Sequence, residues 1–266
     1  MLPDAVAADL LPFLLSVLSG IVVGVILSLT GGGGSILAIP LLVYVVGMKD
    51  PHSAIGTSAL AVGITAFVSM LKHRSHGHVR FRTGIVFAIP GIAGTIVGSH
   101  MAFLTPQNYL LILFALFMMF VGAKMFTTKP AVFTEHFHTK NLHVKKVSIV
   151  GFLVGIAAGF FGIGGGFLVV PALISSTGLS IIDAIGTSLV PVSLFGLSTA
   201  SSYFFENKVD WITALAFSVG GLLGVLIGTR FSVRMSKTAL TKGFSIFVIS
   251  VAIYMIVKTF SEISVL

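Results

Sequence analysis

The sequence predicts an all-α polytopic membrane protein made of two inverted-topology repeats of about five helical segments each. Three observations lead to this fold class. Apolar residues make up 56% of the 266 residues and charged residues only 9%, a glycine-rich sequence occurs twice, and the basic residues are clustered along the chain. A soluble domain carries about 25% charged residues, so this chain has too little charge to coat a water-facing surface.

Long stretches of the chain contain no Asp, Glu, Lys or Arg, and several exceed the roughly 18–20 residues that span a bilayer. These stretches are 10–48, 54–71, 83–123, 147–182, 184–205, 211–229 and 243–257. Near the N-terminus, Asp4 and Asp9 stand where a secretory signal would carry positive charge. We therefore expect a retained first helix rather than a cleaved signal.

The stretches 10–48 and 147–182 are too long for a single span, because a helix through all of 10–48 would be about twice as long as the hydrocarbon core is thick. The glycine clusters Gly31–Gly34 and Gly162–Gly166 are the turning points that the sequence offers. Each stretch is therefore predicted to form the first hairpin of its repeat, with a glycine-rich turn. The sequence leaves open whether that hairpin is re-entrant or consists of two full spans.

The two halves carry the same motifs at nearly the same spacing. Residues 31–40 read GGGGSILAIP and residues 162–171 read GIGGGFLVVP, while AIGTS occurs at both 54–58 and 184–188. Each half is therefore one structural unit. We divide the chain into a first membrane repeat (1–126), a basic cytoplasmic linker (127–146) and a second membrane repeat (147–266).

The distribution of basic residues predicts the orientation. All of the 16 Lys and Arg residues except Lys49, Lys208 and Lys258 fall in loops on one predicted side, which is expected to be cytoplasmic, so both termini lie outside. The basic loop at 72–82 corresponds through the repeat to the acidic loop at 205–210, which predicts that the repeats are inverted. The high net charge then reflects topology, and no nucleic-acid partner is predicted.

Each glycine cluster is expected to precede the N-terminus of a short helix. Glycine allows positive φ and lets a ligand approach the backbone, and the first N–H groups of a helix lack intrahelical partners and carry the positive end of its dipole. Two such N-termini brought together predict a site for a small anion. The predicted residues are Gly31, Gly32, Gly33, Gly34 and Ser35 in the first repeat and Gly162, Gly164, Gly165 and Gly166 in the second.

The hydroxyls of the repeated AIGTS, on Thr57, Ser58, Thr187 and Ser188, are candidate donors to the same anion. They could instead cap or back-bond their own helices, just as the glycine clusters could serve only close helix packing. The later glycines, Gly91, Gly94, Gly98, Gly221, Gly224 and Gly228, are interpreted as packing surfaces.

The chain is predicted not to be an enzyme and to need no cofactor or metal ion. It contains no cysteine, and no paired carboxylates or Ser–His–Asp pattern falls inside a predicted span. Nor does an Asp, Glu, Lys or Arg fall in the middle of a span, where a proton-coupled pump places its ionisable groups. An anion facilitator driven by the membrane potential requires none, and co-transport of a proton with a weak acid stays open.

The duplicated motifs resemble those of the TauE/SafE sulfite exporter family from about residue 12 to 258. The resemblance rests on GGGGSILAIP and GIGGGFLVVP, each followed by AIGTS. Ile163 departs from the all-glycine first copy, and Ser35 stands where the second copy has its last glycine, so the two half-sites are expected to bind unequally. The matching positions are Gly31–Gly34, Thr57, Ser58, Gly162, Gly164–Gly166, Thr187 and Ser188.

The resemblance implies transport of sulfite or a small organosulfonate, usually outward, across the bacterial cytoplasmic (inner) membrane. Combined with the repeat, it gives the hypothesis of a secondary transporter or facilitator with alternating access to a midplane site made of helix N-termini. The expected partners are the small anion and the lipid bilayer, and a homodimer is left open. The alternatives are uptake of another small anion, such as a carboxylate, and a non-transporting membrane partner protein that docks through the linker.

Overall fold

The protein is all-helical, as the sequence predicts. The computed structural model describes residues 2–30, 33–75, 77–127, 143–231 and 237–263, and these ranges contain helices and no strand. Eight of the described helices are long and apolar enough to cross a bilayer. The all-α polytopic membrane architecture is therefore confirmed.

Within the described residues, each half contributes five helical segments. The first half holds α1 (Leu2–Thr30), a short composite segment, α3 (Pro51–Ser75), α4 (Phe81–Phe103) and α5 (Gln107–Thr127). The composite segment consists of a 3₁₀ turn η1 (Gly33–Leu37), one α-helical turn α2 (Ala38–Leu41) and one π-helical turn η2 (Leu42–Val46). The second half holds α6 (Val144–Phe161), α7 (Gly166–Thr177), α8 (Ile181–Phe205), α9 (Trp211–Phe231) and α10 (Lys237–Ile263). Both α5 and α6 reach into the ends of the predicted linker, most of which lies outside the described residues.

The second arm of each hairpin is short, which favours the re-entrant form that the sequence left open. The apolar segments Gly34–Val46 and Gly166–Thr177 are about 20 and 18 Å long at 1.5 Å per residue, less than the roughly 30 Å hydrocarbon core. Each arm ends at a glycine in the left-handed conformation, Gly47 with φ 88° and Gly178 with φ 73°, which terminates a helix.

Helices α1 and α9 come from different halves and pack in parallel through facing glycines. Gly20 lies against the Phe217 carbonyl, and Gly224, further along both helices, lies against the Ile21 carbonyl. Any side chain added at these positions would overlap backbone atoms of the other helix. Small residues allow this close backbone approach between membrane helices, so the predicted packing role of the Gly221 series is confirmed.

Helices α4 and α6 form an equivalent parallel pair. Gly155 lies against the Gly91 carbonyl, and Gly98 lies against the carbonyl of Ile156. The packing role predicted for the glycines of α4 is confirmed in the same way. Each half therefore contributes one helix to each glycine-lined pair, so the two halves interlock instead of lying side by side.

Helices α3 and α8, which carry the two copies of AIGTS, cross at the centre and run antiparallel. Gly56, near the start of α3, makes room for Tyr203, near the end of α8, and Gly63 packs against Gly196. Corresponding helices of inverted repeats run in opposite directions, and this pair does. Inversion of the two halves across a bilayer stays a prediction.

Candidate functional site

The turn between α6 and α7 is the half of the predicted site that the structure describes completely. Gly162, Gly164 and Gly165 have φ of 62°, 59° and 71°, in the left-handed region that glycine adopts without steric cost. The Gly165 carbonyl accepts hydrogen bonds from the backbone N–H groups of Leu168 (2.9 Å) and Val169 (2.8 Å). The glycines thus reverse the chain sharply and start α7, and its first two N–H groups, those of Gly166 and Phe167, precede the intrahelical hydrogen bonds.

This turn lies about halfway along the crossed helices α3 and α8. An added Cβ at Gly164 would lie 3.0 Å from Val62 and 3.5 Å from Val192. Val62 and Val192 each come eleven residues after the first residue of their helix, Pro51 or Ile181, or about 16 Å along it. Because the two helices run antiparallel, this places Gly164 at a similar depth from both ends.

Ser58 of the first AIGTS contacts this glycine turn of the second half. Its hydroxyl lies 2.9 Å from the Ile55 carbonyl and 3.2 Å from the Gly162 carbonyl, and one hydroxyl hydrogen can serve only one of them at a time. In α8, Ser188 donates back to the Ile185 carbonyl at 2.7 Å. The structure therefore brings Ser58 of the first half to Gly162 of the second. The Ser188 hydroxyl instead donates to a carbonyl of its own helix, α8.

Thr57 and Thr187 hold loop backbones of the opposite half. The Thr57 hydroxyl oxygen accepts a hydrogen bond from the backbone N–H of Asp210 at 3.0 Å. The Thr187 hydroxyl oxygen accepts one from the backbone N–H of Arg80, also at 3.0 Å. These two contacts are equivalent through the repeat. They give both threonines an anchoring role for the loops before α9 and α4.

The described part of the first glycine turn packs tightly on α1. Gly34 lies against the Val23 carbonyl and the Leu27 N–H group, and Ser35 is fully buried. Segment η1 contacts α7, so the two glycine-led segments adjoin. Gly33 begins η1, while Gly31 and Gly32 lie outside the described residues.

The candidate site is closed to solvent in this conformation. Ser35, Thr57, Ser58, Thr187 and Ser188 are at most 1% exposed, and all five residues of the Gly162–Gly166 turn are buried. In a low-dielectric interior, the partial charges of helix ends act more strongly than they do in water. An anion can reach this site only if the surrounding helices rearrange.

An ion-paired cluster closes the end of the α3–α8 crossing that is predicted to lie outside. Lys208, in the loop before α9, donates to the Asp50 carboxylate at 2.8 Å. The same carboxylate accepts hydrogen bonds from the backbone N–H of His52, the Ser53 hydroxyl and the side-chain amide of Gln107. Asp50 therefore joins the starts of α3 and α5 to the loop between α8 and α9.

A second ion pair lies at the other end of the crossing. Asp183, near the start of α8, accepts from the Arg80 guanidinium at 3.2 Å and faces His78 at 3.5 Å, and its own N–H donates to the Ser180 hydroxyl. We did not predict either ion pair, since Lys208 and Asp50 are 158 positions apart along the chain. The pattern Ser180-x-x-Asp183, typical of a helix start, was the available signal for the position of Asp183.

Asp50 gives the protein a pH-dependent contribution to stability. Burial acts to raise the pKa of this carboxyl, but hydrogen bonds from Lys208 and Ser53 outweigh it and hold the pKa below its ordinary value of 3.8. A lowered pKa stabilises the folded state above the ordinary value, and this stabilisation is lost as the pH falls towards and through the folded-state pKa. We expect Asp50→Asn to lower the melting temperature at neutral pH, with the difference from wild type shrinking as the pH falls below the ordinary value of 3.8 towards the folded-state pKa. A constant difference at all pH values, measured in detergent, would contradict this assignment.

Comparison with known proteins shows similarity to membrane transporters over nearly the whole chain. The family model "Sulfite exporter TauE/SafE" matches residues 16–255. A "Probable membrane transporter protein" of Xylella fastidiosa is 46% identical over 248 residues, which cover 92% of this chain and 95% of the relative. "Probable membrane transporter protein YunE" of Bacillus subtilis is 26% identical over 244 residues, covering 84% of this chain and 89% of the relative. No solved structure matches the chain.

Proposed function

The chain belongs to the sulfite exporter TauE/SafE family, and from this premise we propose that it exports sulfite or a small organosulfonate across the cytoplasmic membrane. Membership makes it a multi-pass membrane transporter and not an enzyme. The observation that carries the choice of an anion is the buried N-terminus of α7, which follows left-handed glycines at half-depth, in a turn whose Gly162 carbonyl is contacted by Ser58.

The chemistry of the turn fits a small oxyanion better than a cation. Helix N-termini present N–H donors and partial positive charge. The side chains packed around the turn are apolar, among them Ile163, Val192 and Phe195. Sulfite and sulfonate groups offer several acceptor oxygens to such donors. Ser58 can turn its hydrogen from the Gly162 carbonyl to a bound anion, since it already has two alternative acceptors.

Alternating access is the transport mechanism that we propose for this site. The site is buried, and an ion pair closes each end of the α3–α8 crossing. The glycine-lined pairs α1–α9 and α4–α6 are the tightly packed bodies against which that crossing can rock. Opening one ion pair at a time would expose the site to one side of the membrane.

The orientation proposed for the chain has both termini outside and the basic loops in the cytoplasm of a bacterium. A membrane potential that is negative inside drives a monovalent anion outward by about 2.3 kcal/mol per 100 mV. Both described parts of the site come from one chain, so the mechanism does not depend on a homodimer. Direction in the cell still depends on the anion gradient.

Flux measurements in proteoliposomes test this function. We expect radiolabelled sulfite to leave faster when a potassium-diffusion potential is imposed, with little movement of sulfate or acetate. Acetate flux above sulfite flux would support the alternative of carboxylate transport. Absence of flux for every anion, combined with loss of cellular function on deletion of residues 127–146, would instead support the non-transporting partner.

A further inference from the structure

Unpaired polar atoms are concentrated at one end of the α3–α8 crossing. In the described ranges, four buried side-chain atoms have no hydrogen-bond partner, namely His52 Nδ1, Thr199 Oγ1, the Tyr203 hydroxyl and Thr259 Oγ1. The first three belong to α3 and α8. A buried polar group without a partner is destabilising, and such groups in native proteins call for a specific explanation, such as a bound water or a functional role.

Aromatic rings from two other helices enclose the imidazole of His52. The His52 side chain is only 8% exposed, and its ring centroid lies 6.0 Å from that of Phe103 and 6.4 Å from that of Tyr203. Phe103 and Tyr203 contact each other with centroids 4.5 Å apart. Gly56 creates the space, since a Cβ there would lie 2.7 Å from the Cβ of Tyr203.

The unpaired atoms continue from this cluster towards the candidate anion site. Thr199 precedes Tyr203 by four residues, so both project from the same face of α8 one turn apart, with Thr199 the deeper of the two. Ser58, which contacts the Gly162 carbonyl, follows His52 by six residues in α3. The imidazole is therefore both hidden in the interior and close along the helix to the proposed site.

We propose that His52 is a proton-binding site and that its protonation accelerates the transport cycle. The inference rests on the transport function proposed above. Imidazole is the side chain whose charge ordinarily changes between about pH 5 and 8. When the neutral His52 ring carries its hydrogen on Nε2, Nδ1 has a free lone pair. A proton can add to Nδ1 without breaking a hydrogen bond, because this atom has no partner.

Protonation of His52 would act on the ion pair beside it. The titratable or charged groups that face the ring are Asp50, Lys208 and Tyr203, together with the uncharged Phe103 of α4 and the backbone of Thr105. A positive ring attracts the Asp50 carboxylate and repels Lys208, which weakens their 2.8 Å contact. Since this contact holds the loop before α9 against α3, a proton bound from the outside favours opening of that end.

The pH dependence of transport tests the proposal. We expect initial sulfite flux in wild type to rise about fivefold or more as the pH on the outer side falls from about 8 to about 5, the range in which imidazole titrates. In His52→Gln the ratio of the fluxes at the two pH values should be at least about twofold smaller than in wild type, and Tyr203→Phe should shift the midpoint of the profile. Because sulfite also exchanges a proton in this range, the decisive quantity is the difference between variants measured with the same substrate.

His100→Gln is the matched control, because His100 is exposed and lies in the last turn of α4. It should keep the wild-type profile. A wild-type profile in His52→Gln would overturn the proposal.

Ring NMR of histidine-labelled protein in detergent gives an answer that does not depend on flux. The proposal is supported by a histidine resonance that titrates between about pH 5 and 8. This resonance should be absent in His52→Gln and should move in Tyr203→Phe. A His52 ring that stays neutral overturns the proposal, even if the chain transports a different anion.

Discussion

Replacing Gly155 with valine is expected to prevent the chain from accumulating in folded form. The missing side chain at Gly155 is what allows α6 to lie directly on the Gly91 carbonyl of α4. A valine there meets the backbone of α4, and overpacking of this kind costs about 1–3 kcal/mol and occasionally more. That is a large part of the roughly 5–15 kcal/mol that stabilises a typical folded protein. Size-exclusion chromatography of detergent extracts should show loss of the monodisperse peak.

Gly243 provides the matched control for this substitution. It lies within α10, and apart from the adjoining backbone of its own helix no described atom comes within 4 Å of a Cβ placed there. Gly243→Ala should leave the peak intact or strengthen it, since alanine is favoured over glycine inside a helix by about 1 kcal/mol. A normal yield of Gly155→Val would contradict the close parallel packing of α4 and α6.

Gly162→Ala is expected to remove at least about 90% of sulfite flux while leaving a folded protein, since the strain of a left-handed alanine is only about 1–2 kcal/mol. Gly162 has φ 62°, and an added Cβ would overlap the Ile55 side chain. Because its carbonyl is one acceptor of the Ser58 hydroxyl, the substitution displaces both the turn and the serine. Initial flux per folded molecule in proteoliposomes measures the effect.

Gly47→Ala separates the loss of the site from general backbone strain. Gly47 has φ 88°, so alanine there is strained in the same way, but an added Cβ would find no described atom within 4 Å. We expect nearly normal flux from this variant. Equal losses in Gly47→Ala and Gly162→Ala would mean that the chain is merely sensitive to strained turns, and the glycine turn would lose its assigned role.

The sequence predicted the helices and the turning points because these follow from local chemistry. Long uncharged stretches mark the spans, and the glycine clusters at 31–34 and 162–166 mark where the chain reverses. Both short arms begin within one or two residues of the predicted positions, at Gly33 and Gly166. The packing role of Gly91 and Gly221 also follows from composition alone, since aligned small residues allow close helix contact.

Contacts between distant parts of the chain were not predictable in the same way. Nothing in the sequence pairs α1 with α9 or α4 with α6, because many partners would accommodate a glycine-lined face. The roles of Thr57 and Thr187 were left open, and the structure gives both to loop backbones of the opposite half. A single histidine after Asp50 and Pro51 is typical of an exposed helix start, and only the packing of Phe103 and Tyr203 shows that His52 is buried.

Anion-dependent stabilisation of the purified protein tests the central claim, that a small anion binds at the α7 turn, most directly. A ligand that binds only the folded state adds about 2.7 kcal/mol of stability at a concentration 100 times its dissociation constant. We predict that sulfite raises the melting temperature of wild type and of Gly47→Ala, that acetate at equal ionic strength does not, and that Gly162→Ala fails to respond. An equal sulfite response in Gly162→Ala, or no response of wild type to any small oxyanion, would contradict it.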